Sequence, residues 1–248
     1  MEEEIMRGQR FAILRMASAL ALAIGFVSAH AATITGTVTY EGKVPNLKPI
    51  DMAADANCAK MHAGAPQPSD LLVLGPGHTM ANVMVSVVSG LPAGKTWPAP
   101  KDPVVMDQKG CHYQPHVFGL MVGQPFKVLN SDGILHNVHA LPNVNKPFNM
   151  AMPPTVKEST QTFGQAEGMF MIKCDVHPWM SSYAGVFNHP FFSVTKQDGK
   201  FTIENLPAGT YEIEAWHEKP LAPQKQTVTV GANDTKTISF KFMAPGAK

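Results

Sequence analysis

Turns interrupt this chain too often for it to build long helices. Its 21 prolines and 20 glycines are scattered among short apolar runs and are not gathered into one tract. Proline removes a backbone donor and glycine weakens an element interior, so this punctuation leaves room only for short elements. The runs between the turns are rich in β-branched residues that alternate with polar ones, the period of a strand. Thr33–Tyr40 is one strand and Val83–Val88, ended by Gly90, is a second. Val117–Val122 and Phe126–Leu129 follow, separated by Gly123-Gln124-Pro125. After the turn Asn130-Ser131-Asp132-Gly133 comes His136-Asn137-Val138-His139, then a long loop carrying Pro142, Pro147, Pro153 and Pro154. Gly168–Cys174 is a strongly apolar strand that ends at a cysteine, and Ala184–Phe187 closes this block. Phe191–Thr195 and Lys200–Glu204 flank Gln197-Asp198-Gly199, a hairpin signal, and Thr210–Trp216, Thr227–Val230 and Thr235–Phe242 extend a run of hairpins. The expected fold class is all-β, as two packed sandwiches.

The N-terminus reads as an export signal. Arg7, Arg10 and Arg15 precede an apolar run from Met16 to Val27, and Ala29-His30-Ala31 is a small-x-small cleavage site. Residues 1–31 are therefore assigned to the signal, with the acidic Glu2-Glu3-Glu4 leaving Met6 open as the true start. The run is short for a membrane span, and an uncleaved anchor is the alternative. After cleavage no membrane insertion is expected, and the compartment is the periplasm or another exported location. A formal net charge of +1 gives no argument for nucleic acid as a partner. Export brings an oxidising compartment, and three cysteines leave one over after pairing. The reading adopted is a Cys58–Cys111 disulfide with Cys174 held by a metal; other pairings stay open.

The metal reading rests on Cys174-Asp175-Val176-His177-Pro178-Trp179-Met180, a C-x-x-H-x-x-M string. It sets a thiolate, an imidazole and a thioether on one short loop. With a second imidazole these make the ligand set of an electron-transfer copper site, a Cys-His-His plane with a weak axial Met. His136, on a turn after an apolar strand and 38 residues before Cys174, supplies the second imidazole. A lone C-x-x-H reads as half of a disulfide. Structural zinc more often shows four Cys or His ligands. The Met and the distant His favour one type 1 copper per chain.

These residues resemble amicyanin and its plastocyanin-like relatives among the cupredoxins, over residues 103–188. The resemblance implies a Greek-key copper sandwich with His136, Cys174, His177 and Met180 as ligands. It also implies that Asn137 steadies the two ligand loops by hydrogen bonding, and that His139 is not a ligand. Leu135 stands where amicyanins have Pro, and Ser181-Ser182-Tyr183 lengthens the return to the last strand. Asp198-Gly199-Lys200-Phe201, Leu206-Pro207-Ala208-Gly209-Thr210-Tyr211 and Gly36-Thr37-Val38 resemble the carboxypeptidase regulatory-like (transthyretin-like) sandwich. Two arrangements are open. Residues 32–102 and 189–248 form that sandwich around an inserted copper domain at 103–188, or two domains follow in series.

The function expected from this is a carrier of single electrons between redox partners, such as a c-type cytochrome and a periplasmic dehydrogenase. His177, beside Pro178 and Trp179, is the expected electron exit. The rivals are a copper chaperone or buffer and a binding module without redox role. An enzyme is not expected, because four protein ligands leave no open position on the ion. Cys111, His112 and His116 are weighed as a second metal site, with a disulfide and surface histidines as the preferred reading. Met169 and Met171 are read as core packing, and Met150 and Met152 as rim contacts in a loop near the copper.

Overall fold

The computed structural model describes residues 31–244, so the export signal falls outside the described residues except for Ala31. Alternation shapes the first strand, β1 (Ala32–Glu41), in which every second side chain is buried. A 42-residue excursion, residues 42–83, containing a short helix, α1 (Ala56–Met61), leads to β2 (Met84–Ser89). Nine strands follow: β3 (Val104–Gln108), β4 (Tyr113–Gln114), β5 (Val117–Met121), β6 (Phe126–Asn130), β7 (His136–Ala140), β8 (Phe148–Met152), β9 (Glu158–Gln161), β10 (Glu167–Lys173) and β11 (Ser181–Phe187). The chain ends with β12 (Phe192–Val194), β13 (Lys200–Leu206), β14 (Gly209–Trp216), β15 (Gln224–Val230) and β16 (Thr235–Met243).

The strands form four sheets, in the orders β13-β1-β16, β12-β2-β14-β15, β5-β11-β10-β7-β8 and β4-β3-β6-β9. The expected all-β class is what the structure has. Two separate apolar clusters fill it. One joins Ile34, Val38 and Met80 to Phe201, Ile213 and Phe240, drawing on both ends of the described chain. The other joins Met106, Phe126, Val138, Phe170 and Val186, and it also takes Met52 and Cys58 from the excursion.

Two local expectations are corrected. Gln197-Asp198-Gly199 does not make a hairpin, because β12 pairs with β2 while β13 pairs with β1 in the other sheet. The turn is a corner between sheets. Gly199 sits at φ +66°, where a Cβ would lie 2.5 Å from the Val38 carbonyl oxygen, so only glycine lets the two strands meet there. Of the C-terminal strands only β14 and β15 pair directly as neighbours in sequence. The second correction is the proline-rich loop after residue 140, which holds β8 and β9. β8 runs beside β7 with His136 opposite Met152. Met152 is thus a fully buried core residue on a strand, its sulfur taken by the Gln108 amide. Prolines at 147, 153 and 154 flank β8 without entering it, as edge strands allow.

Candidate metal centre

Period-2 alternation brings the site together. Along β10, Phe170 and Ile172 point into the core, and the next inward position is Cys174. Along β7, His136, Val138 and Ala140 are buried. The two strands are antiparallel neighbours, with Lys173 opposite His139. His177 enters from the loop after Cys174. That loop closes on itself, as the Met180 amide donates to the His177 carbonyl (2.9 Å) and the Cys174 amide to the Met180 carbonyl (3.1 Å).

His136 Nδ1 and His177 Nδ1 face each other at 2.9 Å, and Cys174 Sγ lies 3.9 Å from His177 Nδ1. All three residues are buried, and their ligating atoms fall within 4.8 Å of one another. Met180 is buried in the same apolar cluster. Two facing imidazole nitrogens at this distance need a proton or a cation between them. A thiolate beside them supplies the negative charge that a cation would meet. The donor set is soft sulfur plus imidazole, buried and convergent, and it fits copper.

Carboxylates hold both rings from behind. Asp132 Oδ2 lies 2.9 Å from His136 Nε2, and Asp55 Oδ2 lies 3.2 Å from His177 Nε2. Asp132 is itself held by the amides of Gly110 (2.5 Å) and Cys111 (2.7 Å). Burial opposes charge on His136, but the hydrogen bonds and charges of Asp132 and Cys174 outweigh it and push its pKa up to about 9. Burial likewise opposes the Cys174 thiolate, yet hydrogen bonding from His136 and from the amides of Asn137, His177 and Val176 holds the thiol below its usual range. The His177 and Asn137 amides reach the sulfur at 3.3 and 3.5 Å.

Asn137 bridges the two ligand segments. Its Oδ1 accepts from the Asp175 amide at 2.5 Å and its Nδ2 donates to Asn149 Oδ1 at 2.5 Å. Tyr113 donates its hydroxyl to the Asn137 carbonyl, and burial, followed by the Cys174 charge, raises its pKa. His139 points away to Asp175 at 2.9 Å.

The three cysteines divide as a pair and a single. Cys58 and Cys111 are disulfide-bonded, and Cys174 is free and buried. Cys111, His112 and His116 do not converge as a metal group among the described residues. Nor are the histidines on the surface. Both are buried, His112 against Asp70 and His116 Nε2 against Glu218 Oε1 at 2.6 Å, where the two sandwiches meet. The expected exit at His177 is corrected as well. Its ring is 2% exposed, because α1 covers its outer edge. Sequence reasoning missed Asp132, Asp55 and Tyr113. Asp132 had a signal, a turn carboxylate four residues before His136; Asp55 is 122 residues from His177 and had none.

No protein-family model matches the chain, and no curated protein matches it. Solved structures match part of it. An oxidized amicyanin mutant is 21% identical, covering 41% of this chain and 97% of its own, with TM-score 0.31. The Cu(I) form of another amicyanin mutant is 21% identical over 42% and 98%, with TM-score 0.31. The copper-containing nitrite reductase from Thermus scotoductus SA-01 is 20% identical, with TM-score 0.33. It is matched over 41% of this chain and only 26% of its own length. These neighbours have the cupredoxin fold. At this identity and overlap the likeness transfers no chemistry or residue role. The expectation that the chain is not an enzyme is not retained, because one of these neighbours, the nitrite reductase, is an enzyme. The coordination argument behind that expectation covers a single ion and leaves the rest of the chain unaddressed.

Proposed function

We propose that this is an exported copper protein that carries single electrons, with His136, Cys174, His177 and Met180 holding one type 1 copper. The observation that carries this is the convergence of His136 Nδ1, His177 Nδ1 and Cys174 Sγ in one buried place. Bound copper supplies a one-electron couple between Cu(II) and Cu(I). The chain contributes the rest. Amides of Asn137 and His177 stabilise the deprotonated sulfur, and the thiol and the facing imidazoles would give up protons to hold the ion. Asp132 and Asn137 keep the ligand segments from moving when charge changes, which lowers the cost of each transfer. Burial of His136, Cys174, His177 and Met180 would keep water from a bound ion. The Cys58–Cys111 disulfide accords with an oxidising, periplasm-like compartment.

A partly exposed Trp179, its ring centroid 5.1 Å from His177, is the edge offered to a redox partner such as a c-type cytochrome or a periplasmic dehydrogenase. The sandwich of β1, β2 and β12–β16 serves in this proposal as a docking or spacing module of the regulatory-like kind. A copper buffer is less favoured, because a sealed site exchanges metal slowly.

Titration of the mature protein with Cu(II), followed by visible absorption, tests the reading. An intense band saturating at one copper per chain, bleached by reductant and absent from Cys174→Ala, is expected. A colourless protein, or a spectrum indifferent to Cys174, rules it out.

A further inference from the structure

The excursion between β1 and β2 leaves one sandwich and closes over the metal centre of the other. Met52 and Cys58 join that centre's apolar cluster, and Cys58 is bonded to Cys111 beside Asp132. His62 Nε2 lies 2.8 Å from the Gly110 carbonyl oxygen, a second tie to the same turn. Asp55 stands at the head of α1 and does two things at once. Its Oδ1 caps the helix, accepting from the amides of Asn57 (2.8 Å) and Cys58 (3.2 Å). Its Oδ2 meets His177 Nε2 at 3.2 Å, and Cys58 Sγ lies 3.6 Å from the same nitrogen.

A carboxylate only accepts hydrogen bonds, so it selects the imidazole form with the proton on Nε2 and a lone pair on Nδ1. In His177, Nδ1 is the atom that faces His136 and Cys174. The same contact stops the ring from turning, and the helix above it keeps water from its outer edge.

We propose that Asp55 is the positioning residue of His177. It fixes the ring as an Nδ1 donor and closes the outer edge of the site, and the Cys58–Cys111 bridge holds it there. This rests on His177 being a copper ligand, but the side-chain contact can be tested without metal. Asp55→Ser separates the two roles, since serine caps a helix well but is too short to reach His177. Asp55→Asn keeps the full length but has one acceptor oxygen, so when that oxygen caps the helix a donor N–H faces His177 Nε2.

The experiment combines proton NMR of the metal-free chain with the rate of copper loss from the loaded chain to a chelator. In the wild type the His177 Nε2 proton is expected to be observable, sheltered from exchange by its acceptor. In Asp55→Ser it is lost while the Cys58 amide stays protected, and copper loss speeds up by about tenfold or more, the scale of lost support behind a metal ligand. Asp55→Asn is likewise expected to lose the Nε2 proton with the Cys58 amide still protected, because an amide N–H cannot accept it. An Asp55→Ser variant that keeps the Nε2 proton and the wild-type release rate overturns the proposal. So does one whose losses come only with loss of Cys58 amide protection. A wild type that takes no copper refutes the functional reading instead, and the NMR result still decides whether Asp55 holds the ring.

Discussion

In the sandwich built from β1, β2 and β12–β16, an apolar cluster runs unbroken from Ile34 to Phe242. In the sandwich built from β3–β11 the apolar interior stops at one end, where His136, Cys174 and His177 take over. Among the described residues, groups of three or more ligating side chains converge only at that end and in the segments that cover it. Burying polar groups costs on the order of kcal/mol each unless they are satisfied. The second sandwich meets this cost with carboxylates behind both rings, amides on the sulfur and a disulfide-tied cover. The first presents a largely apolar interior, with a few buried polar groups such as Thr195 satisfied locally. The difference teaches where function resides: the dry interior is a scaffold, and the polar end is organised for something to bind.

The comparison breaks most visibly if the dry interior is opened. Phe240 is fully buried and packs on Phe201 at a centroid distance of 6.1 Å. Phe240→Ala is expected to cost about 3–5 kcal/mol in urea unfolding, the usual range for emptying a buried phenylalanine site. The visible band of the copper-loaded folded protein should keep its wavelength. A shifted band would show that the two interiors are coupled.

A smaller effect is expected at the rim of the polar sandwich. Glu167 accepts from the amides of Asn143 (2.8 Å), Val144 (3.1 Å) and Asn145 (3.1 Å) and from Asn145 Nδ2 (2.5 Å). Burial disfavours its charge, but these donors keep its pKa low. Glu167→Gln should cost about 1 kcal/mol, at the low end for charged hydrogen bonds because the site is partly exposed. Unchanged denaturation would mean that the loop after β7 holds without its anchor.

The smallest effect sharpens the boundary between the sandwiches. His116 joins them through Glu218, with Asp70 and His217 close by. Burial opposes its charge, but the Glu218 hydrogen bond and the charges of Glu218 and Asp70 prevail and raise its pKa. A raised folded pKa means that the stabilisation is complete below about pH 6.5 and fades as pH rises through the folded value. Melting temperature should therefore drift down above that pH in the wild type, and the drift should shrink in Glu218→Gln. Equal profiles would remove His116 as a link between the two bodies.

Much of this could be read from residue order. The strands β1 and β14 follow from alternation, because a period of 2 forces a buried and an exposed face, and β10 follows from its apolar run. The string from Cys174 to Met180 announces soft ligands on one loop, since no ordinary packing role asks for those types at that spacing. What failed were judgements about partners. The turn at Gly199 is a corner because β13 finds β1, a strand more than 150 residues earlier. Turn residues mark a reversal and do not say which strand receives the chain. The histidines at 112 and 116 are expected at the surface as the alternative to a second metal site, yet Asp70 and Glu218 satisfy them in the interior.

The sequence by itself determined that this chain would be all-β, and that a thiolate, an imidazole and a thioether would share one loop. Both are local matters, settled by periodicity and by bonds within a few residues. Only the tertiary structure decided that His136 Nδ1 faces His177 Nδ1, that carboxylates stand behind both rings, and that α1 covers the outer edge. Those contacts join positions up to 122 residues apart. They arise because burying two sandwiches and closing one disulfide brings distant segments together, a global free-energy minimum that no local pattern encodes.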